Sequence, residues 1–228
     1  MLLCVWACAS VARADVPGYR VFPSEGDRLL LWVASERGLS GPEIRAAHKL
    51  AAQGVEVWAS DLLDAFFLPQ LASGMDEVPQ QDVVDWLRAA QGGGKQVALL
   101  AISRAAVPLL RGLASLTPAQ RSRMCVLLMH PNLYTVAEPL LEPEYLNVGD
   151  LSGLRIRVLQ PRRSAATPWL SGLLDQLALQ GAGVAHVILE NVRESYWARE
   201  SPTPFEVAEG QRLDILLLHE LNAEGCKQ

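Results

Sequence analysis

The sequence predicts an α/β protein, a doubly wound and mostly parallel sheet with helices on both faces. Three observations carry this. Half of the 228 residues are hydrophobic and a fifth are charged, enough apolar surface for one substantial core. Short runs that are apolar throughout, rather than at alternate positions, recur along the chain, as expected of strands buried on both faces. Between them lie amphipathic segments opened by capping residues and closed by glycine. Strands that alternate regularly with helices build a parallel sheet with right-handed crossovers.

The elements follow in order. Leu29-Leu30-Leu31-Trp32-Val33 is the first apolar run. Ser40-Gly41-Pro42-Glu43 then combines a capping Ser, an early Pro and a Glu three residues on, opening a helix through Ala51 that stops at Gly54. Residues 55–59 form the next strand, and Asp61 and Asp64 after it are read as loop or cap residues. A helix over 80–90 places Val83, Val84 and Leu87 on one face and ends at Gly92-Gly93-Gly94. That glycine run, with Lys95, precedes a strand instead of joining strand to helix, so it forms no phosphate cradle.

Residues 97–102 are another apolar strand, passing almost without a loop into a helix over 104–113. Strands over 125–129 and 155–159 follow. Thr167-Pro168 opens a helix whose Leu170, Leu173, Leu174 and Leu177 share one face, ending at Gly181. The last strand spans 184–189, and Thr203-Pro204-Phe205-Glu206 is a second capping box opening a helix to about Leu221.

Charge and cysteine usage exclude several functions. The net charge is −5 with no block of Lys or Arg, which argues against nucleic acid as a partner, and an aromatic share of 6% leaves no stacking platform for single strands. Cys4 and Cys8 would leave with the first segment; Cys125, in an apolar run, and Cys226, in the polar tail, lack metal-ligand neighbour spacing, so no metal or cofactor is expected.

The segment 1–14, MLLCVWACASVARA, needs separate treatment. Its apolar run from Leu2 to Val11 is too short to span a bilayer, and Ala12-Arg13-Ala14 is a small-x-small cleavage pattern. It is expected to be an export signal, leaving residues 15–228 as one domain in the periplasm or outside the cell. It has no basic start, since Leu2 follows Met1 directly; a start further upstream or a buried N-terminal strand are the alternatives. No other segment approaches transmembrane length.

One motif carries chemistry. Ala101-Ile102-Ser103-Arg104-Ala105 joins a central strand to a helix with almost no loop. It resembles the nucleophile elbow of the α/β-hydrolase superfamily, with both glycines of the usual pattern replaced by Ala. Two strand–helix units before it and three strands and two helices after it extend the resemblance over roughly 19–221. The resemblance implies a minimal α/β-hydrolase type of sheet with little or no lid, and Ser103 as nucleophile. It also implies that the backbone N–H of Arg104 is one oxyanion donor. A second would come from the turn Ala34-Ser35-Glu36-Arg37-Gly38, at Ser35.

Two family positions depart from the pattern. The acid normally follows the strand over 155–159, but residues 160–167 hold no Asp or Glu. The histidine normally follows the last strand, but residues 190–197 hold none, although Glu194 falls close to that position. A serine without a base is a poor nucleophile. His130, at the carboxyl end of the strand over 125–129, is the best replacement base, with Glu138 and Glu142 near it in sequence. His48, His186 and His219 read as structural or surface residues, and Glu190, Arg193 and Glu194 as a surface ion-pair cluster. Trp197 to Thr203 is a candidate rim segment.

Two functions are compatible with these residues. One is an exported serine hydrolase of ester or acyl substrates with an incomplete triad. The other is a non-catalytic protein of the same fold, a pseudoenzyme that binds a small ligand or a protein partner. A flavodoxin-like cofactor binder is disfavoured because no phosphate loop follows the first strands.

Overall fold

The computed structural model describes residues 18–136, 141, 143–224 and 226. The proposed export segment 1–14 lies outside the described residues, as do Glu138 and Glu142.

The elements in chain order are β1 (Tyr19–Phe22), β2 (Arg28–Val33), α1 (Gly41–Ala52), β3 (Val55–Ser60), α2 (Leu62–Ala65), α3 (Ala72–Asp76), α4 (Gln80–Gly92) and β4 (Gln96–Ile102). The second half continues with α5 (Ala106–Ala114), α6 (Pro118–Arg121), β5 (Met124–Met129), β6 (Tyr134–Val136), β7 (Glu144–Tyr145), β8 (Arg155–Pro161), α7 (Leu170–Leu179), β9 (Gly183–Leu189), α8 (Pro204–Gln211) and α9 (Leu213–Leu221). Seven strands form one sheet in the order β1-β3-β2-β4-β5-β8-β9. Every neighbouring pair is parallel except β1 with β3.

The period-2 geometry of a strand explains why apolar runs were the right signal. Along β2, Leu29, Leu31 and Val33 point into one core with Val83, Leu87 and Leu109, under α4 and α5. Leu30 and Trp32 point into the other, with Ala46 and Leu50 of α1 and Leu213 and Leu217 of α9. A strand must be apolar on both faces when helices cover both. Removing such a side chain, as in Leu30→Ala, costs about 2–5 kcal/mol.

Three features differ from or extend the sequence reading. The helix expected over 203–221 is two helices that break at Arg212, whose φ is −107°. The cause is packing: Gly210 lies so close to Trp197 that a Cβ would come within 3.0 Å of its Cα, while α9 turns to pack on α1. The edge strand β1 was not read from the pattern; its antiparallel pairing with β3 defines it. Cys125, at the start of β5, forms a disulfide with Cys226.

The expectation of little or no lid agrees with the structure. Between β5 and β8 the described residues form one small hairpin, β6 with β7. Among the described residues no helix is long and apolar enough to cross a membrane, and no group of His, Cys, Asp or Glu is placed to hold a metal.

Candidate active site

Parallel strands deliver their carboxyl ends to one edge of the sheet, where ligands bind in open α/β proteins. Ile102 pairs with Met129 across β4 and β5, and the next residue on each strand is Ser103 and His130. The turn 34–38 leaves β2 beside them, and the segments after β8 and β9 complete the edge.

Ser103 starts a 3₁₀ turn leading into α5 and has φ +56°. A left-handed conformation at a non-glycine residue costs about 1–3 kcal/mol and persists only where surrounding structure enforces it. Here it is enforced by the strand-to-helix turn, with the Asn132 amide donating to the Ser103 carbonyl at 3.1 Å. His130 (φ +38°) and Ser195 (φ +48°) are also left-handed, so three such residues gather at one place.

The Ser103 hydroxyl donates to Glu36 Oε1 at 3.2 Å. The turn that holds Glu36 is closed by Gly38, whose amide donates to the Ser35 carbonyl at 2.9 Å and whose φ is +77°. A Cβ at Gly38 would sit 2.6 Å from the Asp61 carboxylate and push it aside, and the left-handed φ itself strains any L side chain there. The second oxygen of Glu36, Oε2, is buried without a hydrogen-bond partner.

His130 is 6% exposed. Burial lowers its pKa, against the opposing pull of the Glu194 and Glu36 charges, so it stands neutral at neutral pH. Its Nε2 is 3.4 Å from Ser195 Oγ, and its ring is 5.9 Å from that of Trp197. Trp197 in turn hydrogen-bonds the buried Glu43, whose pKa burial raises and whose carboxylate caps α1 through the Ser40 amide at 2.7 Å.

Ser164 and Glu194 occupy the regions where the superfamily carries its acid and its histidine. They bond each other: the Ser164 hydroxyl donates to Glu194 Oε1 and accepts from the Ala166 amide at 3.0 Å. The expected surface cluster of Glu190, Arg193 and Glu194 therefore separates into three roles. Glu190 pairs with Arg162 on the surface, Arg193 reaches the buried Glu206, and Glu194 faces the cavity beside Ser103. Local charge spacing could not reveal this, because the partners come from 13 to 30 residues away.

Ser103, Glu36, Arg104, His130 and Glu194 line one cavity of about 840 Å³. The Arg104 side chain holds its walls together, with Nε and Nη2 on Asp76 of α3 at 3.1 and 2.7 Å and Nη1 on the Tyr134 carbonyl of β6 at 2.6 Å. Ser35 lines a neighbouring cavity of about 620 Å³ with Arg37, Ser195 and Trp197. His48, His186 and His219 are exposed, remote from the cavity lining. Asp61 caps α2 by accepting from the Asp64 amide. The sequence reading missed the role of Glu36. It lay inside the turn considered for oxyanion donors, but it was the backbone and not the carboxylate that was considered.

No protein-family model matches the chain, and no curated protein matches it by sequence. Solved structures do match. An esterase from Pyrobaculum calidifontis superposes with a TM-score of 0.63 at 12% identity, covering 90% of this chain and 82% of that one. A dienelactone hydrolase-like promiscuous phosphotriesterase from metagenomic libraries gives 0.58 at 13% identity, covering 86% and 87%. A thermophilic esterase from Thermogutta terrifontis gives 0.56 at 12% identity, covering 93% and 91%. The order of the sheet, the elbow at Ser103 and these superpositions agree: the chain has the α/β-hydrolase fold.

Proposed function

We propose that the protein is an exported serine hydrolase acting on ester or related acyl substrates. The observation that carries this is Ser103, held at φ +56° on the elbow at a cavity wall with its hydroxyl on the Glu36 carboxylate. A residue that only needed to be small would gain nothing from such a conformation.

In this reading Ser103 Oγ bonds to the acyl carbon while its proton passes to Glu36 Oε1. The tetrahedral oxyanion faces the amide of Arg104, a donor worth about 2.7–4 kcal/mol, while the turn expected to give the second donor contributes Glu36 to this cavity and Ser35 to the neighbouring one. The C–O bond to the leaving group breaks as the leaving oxygen takes the proton from Glu36. Water then attacks the acyl-serine, its proton returns through Glu36, and the acid is released. A carboxylate is a weaker base than imidazole, so Glu36 activates Ser103 modestly. Neutral His130, beside Glu36, is the second group able to receive the proton.

A fluorophosphonate probe should label Ser103, and Ser103→Ala should abolish both labelling and p-nitrophenyl acetate hydrolysis. Hydrolysis that survives in the variant, or a wild-type protein the probe never labels, overturns the reading. The second outcome would favour a non-catalytic protein that binds its ligand in the same cavity, a reading supported by the presence of Ser164 and Glu194 where acid and histidine are expected. Export is supported by the segment 1–14 and by the Cys125–Cys226 disulfide, a bond that persists in oxidising compartments. N-terminal sequencing of the chain expressed in a bacterial host should begin near Asp15; an intact N-terminus on protein confined to the cytosol would refute it.

A further inference from the structure

We infer that the cavity selects acyl substrates bearing an ammonium group, quaternary or protonated. This deepens the hydrolase reading and rests on it for the word substrate.

The charges on the cavity wall do not balance. Glu36, Asp76 and Glu194 face it, and Arg104 is the cation among them. Asp76 is consumed by Arg104 in a two-point ion pair. Glu36 and Glu194 hydrogen-bond only serine hydroxyls, at Ser103 and Ser164, and neither is in a salt bridge among the described residues. His130 supplies no compensating charge while neutral. Arg37 and Arg199 line the neighbouring cavity; the Arg37 charge still reaches His130, where it opposes protonation, and Arg199 spends a guanidinium N–H on the Glu194 carbonyl. An anionic acyl group would meet two carboxylates, neither paired to a cation among the described residues, whereas an ammonium would neutralise them.

An independent feature points to the same ligand. Tyr134 and Trp169 line the cavity as an aromatic wall. Tyr145 braces both, its ring 5.5 Å from that of Tyr134 and its hydroxyl donating to the Trp169 carbonyl at 2.9 Å. Aromatic faces attract cations through their quadrupole, most strongly for indole, and an ammonium that reaches both a ring face and a carboxylate is held by two forces that a neutral isostere lacks.

The test compares binding of trimethylammonioethyl butyrate with its uncharged isostere, dimethylbutyl butyrate, to Ser103→Ala by calorimetry, so that no turnover intervenes. The expected result is a preference of about tenfold or more for the cation, reduced by Glu194→Gln and by Trp169→Leu in the same background. Equal affinities, a preference for the neutral ester, or no binding of either overturns the inference. Wild-type turnover of the two esters is a separate readout. Turnover without cation preference keeps the hydrolase reading and removes this inference, and cation preference without turnover does the reverse.

Discussion

Two serine–glutamate pairs face each other across His130, and they are not equivalent. Ser103 with Glu36 joins the ends of β4 and β2, and Ser164 with Glu194 joins the segments after β8 and β9. Both are hydroxyl-to-carboxylate hydrogen bonds beside one cavity. Ser164, however, also accepts from the Ala166 amide, so its oxygen is committed twice within its own turn. Ser103 has a strained backbone, lines the cavity and uses its hydroxyl only as a donor to Glu36 among the described residues. The difference teaches that a hydroxyl beside a carboxylate is not a nucleophile by virtue of that bond. Strain, access to the cavity and a free lone pair distinguish the chemical pair from the structural one.

The comparison breaks most readily at its carboxylates and hydroxyls. Glu36→Gln keeps a hydrogen-bond partner for Ser103 but removes the proton acceptor, and should lower ester turnover about 10²–10⁴-fold in steady-state assays. Ser164→Ala should act on the fold instead. It removes the hydroxyl partner of the half-buried Glu194 carboxylate, costing about 0.5–1.5 kcal/mol in urea denaturation, with turnover changed less than by Glu36→Gln. If Ser164→Ala impairs turnover as severely as Glu36→Gln, the distinction between the pairs fails.

A smaller effect sharpens the role of the histidine between them. Its pKa is lowered in the folded protein, so the unfolded chain binds its proton more readily. Stability should therefore be full above the unfolded value near pH 6.5 and fall as pH drops towards the lowered native value. Asn tolerates the left-handed backbone at that position, so His130→Asn should fold and flatten this decline between about pH 7 and pH 5.5. Parallel stability curves for wild type and variant would show that the imidazole is not held neutral by burial.

Most of the fold was legible because it is written in local pattern. Leu30 and Trp32 against Leu29, Leu31 and Val33 encode two cores in a single strand, and the capping boxes at Ser40 and Thr203 mark helix starts that the structure retains. The break at Arg212 was not legible, because it follows from Gly210 meeting Trp197, a contact the local periodicity of the helix does not contain. The site was half legible. Ser103 stands out because a tight strand-to-helix turn demands particular residues on either side. Glu36 and Glu194 did not stand out as a facing pair, because their hydroxyl partners lie 67 and 30 residues away.

The Cys125–Cys226 bond divides these two pairs in another sense. Its cysteines are 101 residues apart, so it closes a covalent ring through β5, the hairpin, β8, β9 and the last helices. Ser164, Glu194 and His130 lie inside that ring, while Ser103 and Glu36 lie outside it. In the chain-entropy view a ring of about 100 residues restrains the unfolded chain by about 4.7 kcal/mol. A proteolytic cut beside the exposed Leu141 leaves one covalent molecule until a reductant is added, whereas a cut beside the exposed Phe67 releases a separate fragment on unfolding even when oxidised. Glu36 thus resides in the segment that only packing retains, while Ser103 stays joined by continuous chain to the ring.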